Sequence, residues 1–553
     1  MAKTIIIGAS AAGATAATRL RRLNEDMQII LLEKGEHISY ANCGMPYYIG
    51  GVIKDKEDLT VMTPSGLAAW YKIDVRIRNE VIFIDRDKKE VIIIDHANNR
   101  QYKENYDYLI LATGAEPVIP LELQNIYGVF ALRDLSDTFA LKSYIENNKP
   151  KNAVILGGGA IGLELAENLV NSSIDVTILE LSDRIGGPLD FDMASLLHSY
   201  LRKNGVKLIL NNSFKSILTN SNKIILTLSD GNVLETDMVI VSIGVKPNSS
   251  LAKQANLKIN ARGAVVVNSK MQTTDPYIYA IGDLVEVTDY ISKETTYIPL
   301  AGPAQKQARI VANNISGINT EYNGASLSGI IKIFDKTVAY CGLNEKILKA
   351  KNIDYEKVYI TAQSNPSYYP DSGAIDIKLL FDKISGKIYG VQLIGDKGVD
   401  KRADVFATVI RLNGTIDDLV ELELTYSPPY STAKDAVNLA GLAAQNVKEK
   451  IRNIVHFEDL DKINHKNTIL LDVRTKKEFE KGHIDGFINI PLHELRDRIN
   501  ELDTNKTIYV MCLAGQRAYV AERLLRNQGF NAFSLSGGYR LYKHIIDEKL
   551  NKG

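Results

Sequence analysis

Two of the chain's three cysteines stand in settings that chemistry can use. Cys43 lies in Ser39-Tyr40-Ala41-Asn42-Cys43-Gly44-Met45-Pro46-Tyr47-Tyr48, just ahead of an expected helix start with Pro46 suited to the first turn. A thiol so placed is expected to have its thiolate favoured by the helix dipole, which makes it a candidate nucleophile. Positions 44 to 48 offer no second cysteine. Any electron pair delivered there must pass between one protein sulfur and a sulfur or oxygen from outside. Cys512 opens Cys512-Leu513-Ala514-Gly515-Gln516-Arg517, between a strand Thr507 to Met511 and a helix Ala518 to Arg526. Consecutive N–H groups at such a helix start form an anion nest, which favours a thiolate and can cradle a persulfide or an oxyanion. Arg517 closes that loop as a candidate catalytic cation. Cys341 is read as buried and inert.

Two glycine turns could hold nucleotides. Gly157, Gly159 and Gly162 occupy the three positions of a Gly-x-Gly-x-x-Gly turn after a strand, and Glu180 follows at the end of the next strand. The first glycine permits the tight turn, the second lets backbone approach a pyrophosphate, and the third lets helix and strand pack closely; the acid accepts from an adenosine ribose. Glu180 repels a 2′-phosphate and so favours NADH, while nearby Arg184 leaves NADPH open. In the first turn Gly8 and Gly13 are kept, Ser10 replaces the middle glycine, and Glu33 stands at the second strand end. A different nucleotide is expected there. Farther on, Thr273 to Asp283 reads as an extended strand ending in Gly282-Asp283, able to offer a carboxylate to a polyhydroxyl chain.

These groups need a scaffold, and 553 residues suggest several domains of roughly 100 to 200 residues each. Lys+Arg and Asp+Glu both number 66, so the electrostatic footprint of a nucleic-acid or anionic-membrane binder is missing. Three scattered cysteines exclude a disulfide framework and a paired zinc spacing, so no metal is expected and the compartment is read as reducing. Met-Ala-Lys-Thr runs straight into Ile5-Ile6-Ile7-Gly8 without a signal-peptide core, and no apolar run reaches the roughly 18 residues that span a bilayer. The cytoplasm is the expected location. Strand, turn, helix and strand over residues 4 to 33 recur over 153 to 180 as two βαβ units. Each is followed by a strand and Gly-x-x-Pro, at Gly114 to Pro117 and Gly244 to Pro247, as though the chain leaves one domain and re-enters it. The resulting division is 1–117 and 247–326 for the first nucleotide domain, 118–246 for the second, 327–446 for a strand-rich third domain, and 452–553 for a small α/β domain. The fold class is α/β and α+β multidomain.

Taken in order, the two turns, Thr113-Gly114 and Gly282-Asp283 resemble the two-dinucleotide-domain flavoprotein disulfide reductases over about residues 1 to 445. That resemblance implies FAD on Gly8, Ser10, Gly13, Glu33, Thr113, Gly114 and Asp283, and NADH on the second turn. The Cys43 setting resembles the coenzyme A disulfide reductases, which implies a coenzyme A channel lined by Thr15, Arg19, Arg22, Ser39, Asn42, Lys72 and Lys434. Arg19 and Arg22, three apart on one helix face, suit its phosphates. The segments around Tyr368 and Tyr426 are similar to those whose tyrosines reach a partner subunit's cysteine, implying a homodimer with a shared active site. There a phenol can donate to a departing thiolate. The four-residue spacing of Cys512 and Arg517, with Leu470 to Arg474, Gly482-His483-Ile484, Ile488 to Pro491 and Ser536-Gly537-Gly538, resembles single rhodanese domains. Asp472 and His483 are read there as structural. Together these imply an NADH-driven reductase of coenzyme A disulfide, persulfide or polysulfide joined to a sulfurtransferase. NADH oxidases and peroxidases are the competing single-cysteine relatives; they place a histidine in the first turn, where this chain has Ala11. A redox-sensing flavoprotein that docks partners through its last domain is the non-enzymatic alternative.

Overall fold

The computed structural model describes residues 2–220 and 223–550. By packing, the chain divides into two compact units: one runs up to Leu181 and resumes over Gly205–Ala325, and the other takes Ser182–Asn204 with the chain from Ser326 onward.

The first unit holds two parallel five-stranded sheets built alike. In one the order is Ile278–Ala280, Tyr108–Leu111, Lys3–Ile7, Gln28–Leu32 and Asp74–Arg76. In the other it is Lys207–Ile209, Asp175–Leu179, Asn152–Leu156, Met238–Val241 and Val129–Ala131. Central strands such as Ile5-Ile6-Ile7 and Val154-Ile155-Leu156 are apolar on both faces, as sheets covered from two sides require. Ile7 pairs with Leu32 as Leu156 pairs with Leu179, so both glycine turns leave equivalent strand ends. The expected double crossing is present: Ala115–Pro117 pairs antiparallel with Val245–Pro247, and Thr113 Oγ1 donates to the Asn248 carbonyl at 2.7 Å. One expectation needs correcting. The stretch leading to Asp283 is mostly loop, with a strand only over Ile278–Ala280, because the Asp275-Pro276 turn closes on itself through the Asp275 carboxylate and the Tyr277 N–H.

The second unit contains an antiparallel sheet ordered Ser328–Ile333, Lys336–Gly342, Ile388–Gly395, Ala374–Phe381 and Glu356–Gln363. Helices Val399–Arg411 and Ala436–Lys448 cover it. A parallel sheet, Ile454–Val455, Ala532–Leu535, Thr507–Met511, Thr468–Asp472 and Ile488–Asn489, forms the last domain. Buried charge fastens these parts. Lys378, fully buried, meets Asp190 at 2.9 Å, Asp192 at 2.7 Å and Glu345; Lys357 joins Glu345 at 3.0 Å and also reaches Glu458 of the last domain. Burial alone would push the Glu345 carboxyl up, but Lys378 and Lys357 outweigh it and hold the group far below the carboxylate range. Glu548 on the terminal helix lies 3.0 Å from His198 and is paired with Arg202, and Arg540 reaches Asp376 at 2.8 Å. Removing one partner from such a cluster strands a buried charge, so the last domain is held as part of this unit. Among the described residues, no helix is long and apolar enough to cross a membrane.

Candidate functional site

The glycine turns separate folding demands from ligand demands. At Gly8, with φ +99°, an added Cβ would stand 2.3 Å from the Ala112 carbonyl oxygen; at Gly157, with φ +101°, it would stand 2.3 Å from that of Ser242. Gly13 and Gly162 press in the same way on the carbonyls of Gly8 and Gly157, at 1.8 and 2.3 Å. Packing requires those four glycines. At Gly159 a Cβ would meet no protein atom within 4 Å, and the backbone there is extended. Nothing inside the chain demands glycine at that position, whereas a pyrophosphate approaching the start of helix Ala160–Asn171 would. Ser10 starts helix Ala11–Leu23 without using its hydroxyl as a cap. Glu33 accepts from the Ala9 and Gly35 N–H groups at 2.9 Å each, and Glu180 accepts from Gly158 at 2.8 Å, so each acid braces its own turn. Gly282 lies against Ala12 and Ala304, which sets half-buried Asp283 beside the first turn. Burial pushes the Asp283 carboxyl up to about 6. A polyol hydroxyl donating to it would restore lost solvation, so the residues fit the flavin chain that the sequence implied.

The Cys43 segment is pinned to this turn. Ser39, in a left-handed conformation with φ 43°, donates its N–H to the Ala9 carbonyl at 2.8 Å, and Ala41 donates to Leu59 at 2.8 Å. Cys43 itself sits inside a single 3₁₀ turn, Asn42–Gly44, that leads into the helix Met45–Ile49. The expected dipole assistance is a correction. A helix of five residues has little dipole, Cys43 precedes it by a turn, and the thiol pKa is raised, first by partial burial and second by the Glu164 carboxylate. Glu164 comes from helix Ala160–Asn171, against which Met45–Ile49 packs, and it accepts weakly from Tyr47 Oη at 3.4 Å. Burial pushes Glu164 up to about 7. Cys43 is exposed, so a substrate can reach the sulfur.

A cationic face adjoins these elements. Arg19 donates through Nε and Nη2 to Asn313 Oδ1 at 3.2 and 3.1 Å, and its pKa is lowered by burial, then by Arg309 and Arg22. Arg309 was invisible to spacing arguments because it comes from helix Ala301–Ile315, which packs on Ala11–Leu23. Arg22 stands over the Tyr71 ring at 5.9 Å, with exposed Lys72 next in the chain. Thr15 spends its hydroxyl on the Ala11 carbonyl at 2.6 Å, and Asn42 is exposed.

Tyr368, Tyr426 and Lys434 belong to the other unit. Both phenols are largely uncovered, at 79% and 63% exposure, and Lys434 is exposed too. Their loops share an anchor. Buried Arg402 donates to Asp435 Oδ1 and Oδ2 at 3.1 and 2.7 Å and to the Ser364 carbonyl at 2.8 Å. Cys341 is buried with its thiol on the Ala403 carbonyl at 3.4 Å, and burial pushes it up to about 11.

Cys512 is 1% exposed at the end of strand Thr507–Met511, and the Gly515 N–H donates to its sulfur at 3.1 Å. Gly515 takes φ +98° and starts helix Gln516–Asn527. The loop is backed by Gly538, where a Cβ would fall 2.6 Å from the Cys512 carbonyl oxygen and 2.9 Å from the Ala514 nitrogen. Arg517 binds Glu478 through two bonds of 2.7 Å each, and holds that carboxyl down at about 2. Asp472 is spent on Arg474 at 2.6 to 3.0 Å, and His483 stacks on Phe479 with centroids 4.0 Å apart.

The family described as pyridine nucleotide-disulphide oxidoreductase matches residues 2–308, its dimerisation domain matches 330–437, and the rhodanese-like domain matches 457–544. A protein named NADH oxidase from Methanocaldococcus jannaschii is 36% identical over 82% of this chain and all of its own length. Coenzyme A disulfide reductase from Staphylococcus epidermidis is 35% identical over 80% of this chain and all of its own. Among solved structures, reduced Bacillus anthracis CoADR-RHD superposes with a TM-score of 0.96 at 44% identity, covering 99% of this chain and 98% of that one. An NAD-dependent persulfide reductase from A. fulgidus gives 0.91 at 35% identity, covering 98% and 99%.

Proposed function

The chain belongs to the pyridine nucleotide-disulphide oxidoreductase family, and from that membership we propose that it is an FAD-containing, NADH-driven reductase of coenzyme A disulfide or persulfide whose last domain carries sulfane sulfur. One arrangement carries the reading: a lone exposed cysteine is tied to a nucleotide turn, and a second, loop-cradled cysteine sits in a rhodanese-like domain of the same chain.

Bound FAD and NADH supply an electron pair derived from hydride. Gly8, Ser10, Gly13, Glu33, Thr113, Gly114 and Asp283 would hold FAD, while Gly157, Gly159, Gly162 and Glu180 would hold NADH, the ribose-directed acid favouring it over NADPH. Arg19, Arg22 and Arg309 supply positive charge for the phosphates of coenzyme A, with Thr15, Ser39, Asn42 and Lys72 lining its path. The Cys43 thiolate attacks the coenzyme A sulfur of CoA–S–S–X. A Cys43–S–S–CoA bond forms, and X departs as thiolate, or as hydrosulfide from the persulfide. Two electrons and one proton then restore the Cys43 thiolate and release CoA-SH. Tyr368 and Tyr426 would donate to the departing thiolate across a homodimer, with Arg402 fixing both loops. Cys512 would receive or give up the terminal sulfur as Cys–S–SH, with Arg517 at the rim, in a cytoplasmic enzyme.

The experiment is NADH consumption by the purified protein with coenzyme A disulfide, coenzyme A persulfide and inorganic polysulfide offered separately. Turnover with a coenzyme A species supports the proposal. Rapid turnover of hydrogen peroxide without any thiol substrate supports the oxidase and peroxidase reading instead.

A further inference from the structure

Two arginines approach the Cys512 loop, and they are not equivalent. Arg517 is paired with Glu478 through both of its Nη atoms. Arg452 is not in the matched domain at all: it lies in the segment joining helix Ala436–Lys448 to strand Ile454–Val455, ahead of the match at 457–544. Its N–H donates to the Asn446 carbonyl of that helix at 2.9 Å, and its side chain runs inward to 7% exposure. Nε donates to Ser534 Oγ at 2.9 Å, and the guanidinium lies 5.3 Å from the centre of the Tyr519 ring. Nη2 is buried with no hydrogen-bond partner among the described residues. It stands 3.7 Å from the point where a Cβ on Gly515 would be, and Gly515 is the residue whose N–H donates to the Cys512 sulfur.

A buried guanidinium with an unspent N–H loses solvation that something must replace. Two anions face it. Glu522 is buried, but its Oε1 is taken by the Asn453 N–H at 3.0 Å and by Arg526 at 3.2 Å, and its Oε2 makes no bond among the described residues. The other is the Cys512 sulfur, whose charge together with that of Glu522 opposes the downward push of burial on Arg452. Asp472 is held by Arg474, and Glu478 by Arg517, so neither competes for this cation. We propose that Arg452, supplied by the joining segment, is the positioning cation of the sulfur-carrying loop, holding the anionic thiol and persulfide forms of Cys512. Sulfur transfer by this domain then depends on its attachment to the reductase through the Arg452 to Asn446 bond.

The inference rests on Cys512 as the sulfur carrier, and its test separates the two. Full-length flavin-loaded protein is alkylated with iodoacetamide across a pH series and read peptide by peptide, as the unaltered chain and as Arg452→Gln and Arg452→Lys. Arg452→Gln is expected to slow Cys512 alkylation about tenfold near neutrality and to move its profile up by about one pH unit. Lys should recover most of the rate, while Cys43 labelling and NADH consumption with coenzyme A disulfide stay unchanged. A Cys512 profile that does not move in Arg452→Gln overturns the inference. Should that variant fail to fold, Ser534→Ala decides: removing the hydroxyl that holds Nε should slow Cys512 alkylation about threefold, and an unmoved rate overturns the assignment. Absence of any Cys512 persulfide when the unaltered protein meets thiosulfate refutes the carrier reading alone.

Discussion

The two candidate cysteines of this chain stand in opposite settings. Cys512 is buried, receives an N–H bond from Gly515, and interacts electrostatically with Arg452 and Arg517. Cys43 is exposed, sits in one 3₁₀ turn, and faces a carboxylate. The chain's own groups surround Cys512, whereas Cys43 has only its position beside the first glycine turn. A thiol in that setting gains reactivity from what binds next to it, which suits a sulfur that must wait for electrons.

The contrast is sharpest in activity. Cys43→Ser should reduce NADH-driven reduction of every coenzyme A species by about a thousandfold or more, to background, while Cys512→Ser keeps disulfide reduction and loses thiosulfate-to-cyanide sulfur transfer. Steady-state assays of both variants check this, and equal losses in both activities would erase the distinction. Backbone comes next. Gly538→Ala forces a Cβ against the Cys512 loop at φ +66°, and should cost about 2 to 4 kcal/mol with loss of sulfur transfer. Gly44→Ala beside Cys43 presses on the side-chain ends of Leu59 and Ile53, at 2.8 and 3.2 Å, with Ala41 Cβ at 3.6 Å, and should cost about 1 kcal/mol. Denaturant melts of the two variants measure the difference. The smallest effect concerns charge. Glu164 gains its negative charge as pH rises through about 7, and that charge disfavours the Cys43 thiolate. Glu164→Gln should therefore speed Cys43 alkylation about threefold above neutrality, shift its profile to lower pH and leave Cys512 untouched. A slower Cys43 in that variant would reverse the sign of the argument.

Much of the scaffold was legible because glycine placement is a local matter. Gly8, Gly13, Gly157 and Gly162 answer to carbonyls within their own βαβ units or at the adjoining strand end, and the strands Gln28–Leu32, Asp175–Leu179 and Thr507–Met511 fall where apolar runs put them. What failed was charge and context. The expected dipole at Cys43 ignored how short the following helix is, and Glu164 acts on the thiol from helix Ala160–Asn171 of the second βαβ unit. Arg309, Arg402 and Arg452 likewise matter through partners far along the chain, Asn446 and the Arg452 backbone excepted. No periodicity reports such pairings, since each depends on how finished elements pack.

The central claim is that Cys43 exchanges electrons with an external coenzyme A thiol beside a flavin. Absorbance of the purified protein, followed by intact and peptide mass before and after NADH, tests it in one preparation. The account predicts a yellow protein whose Cys43 peptide carries a coenzyme A adduct that NADH removes. A colourless protein, or a flavin that NADH reduces while a preloaded Cys43–coenzyme A adduct stays in place, would contradict it.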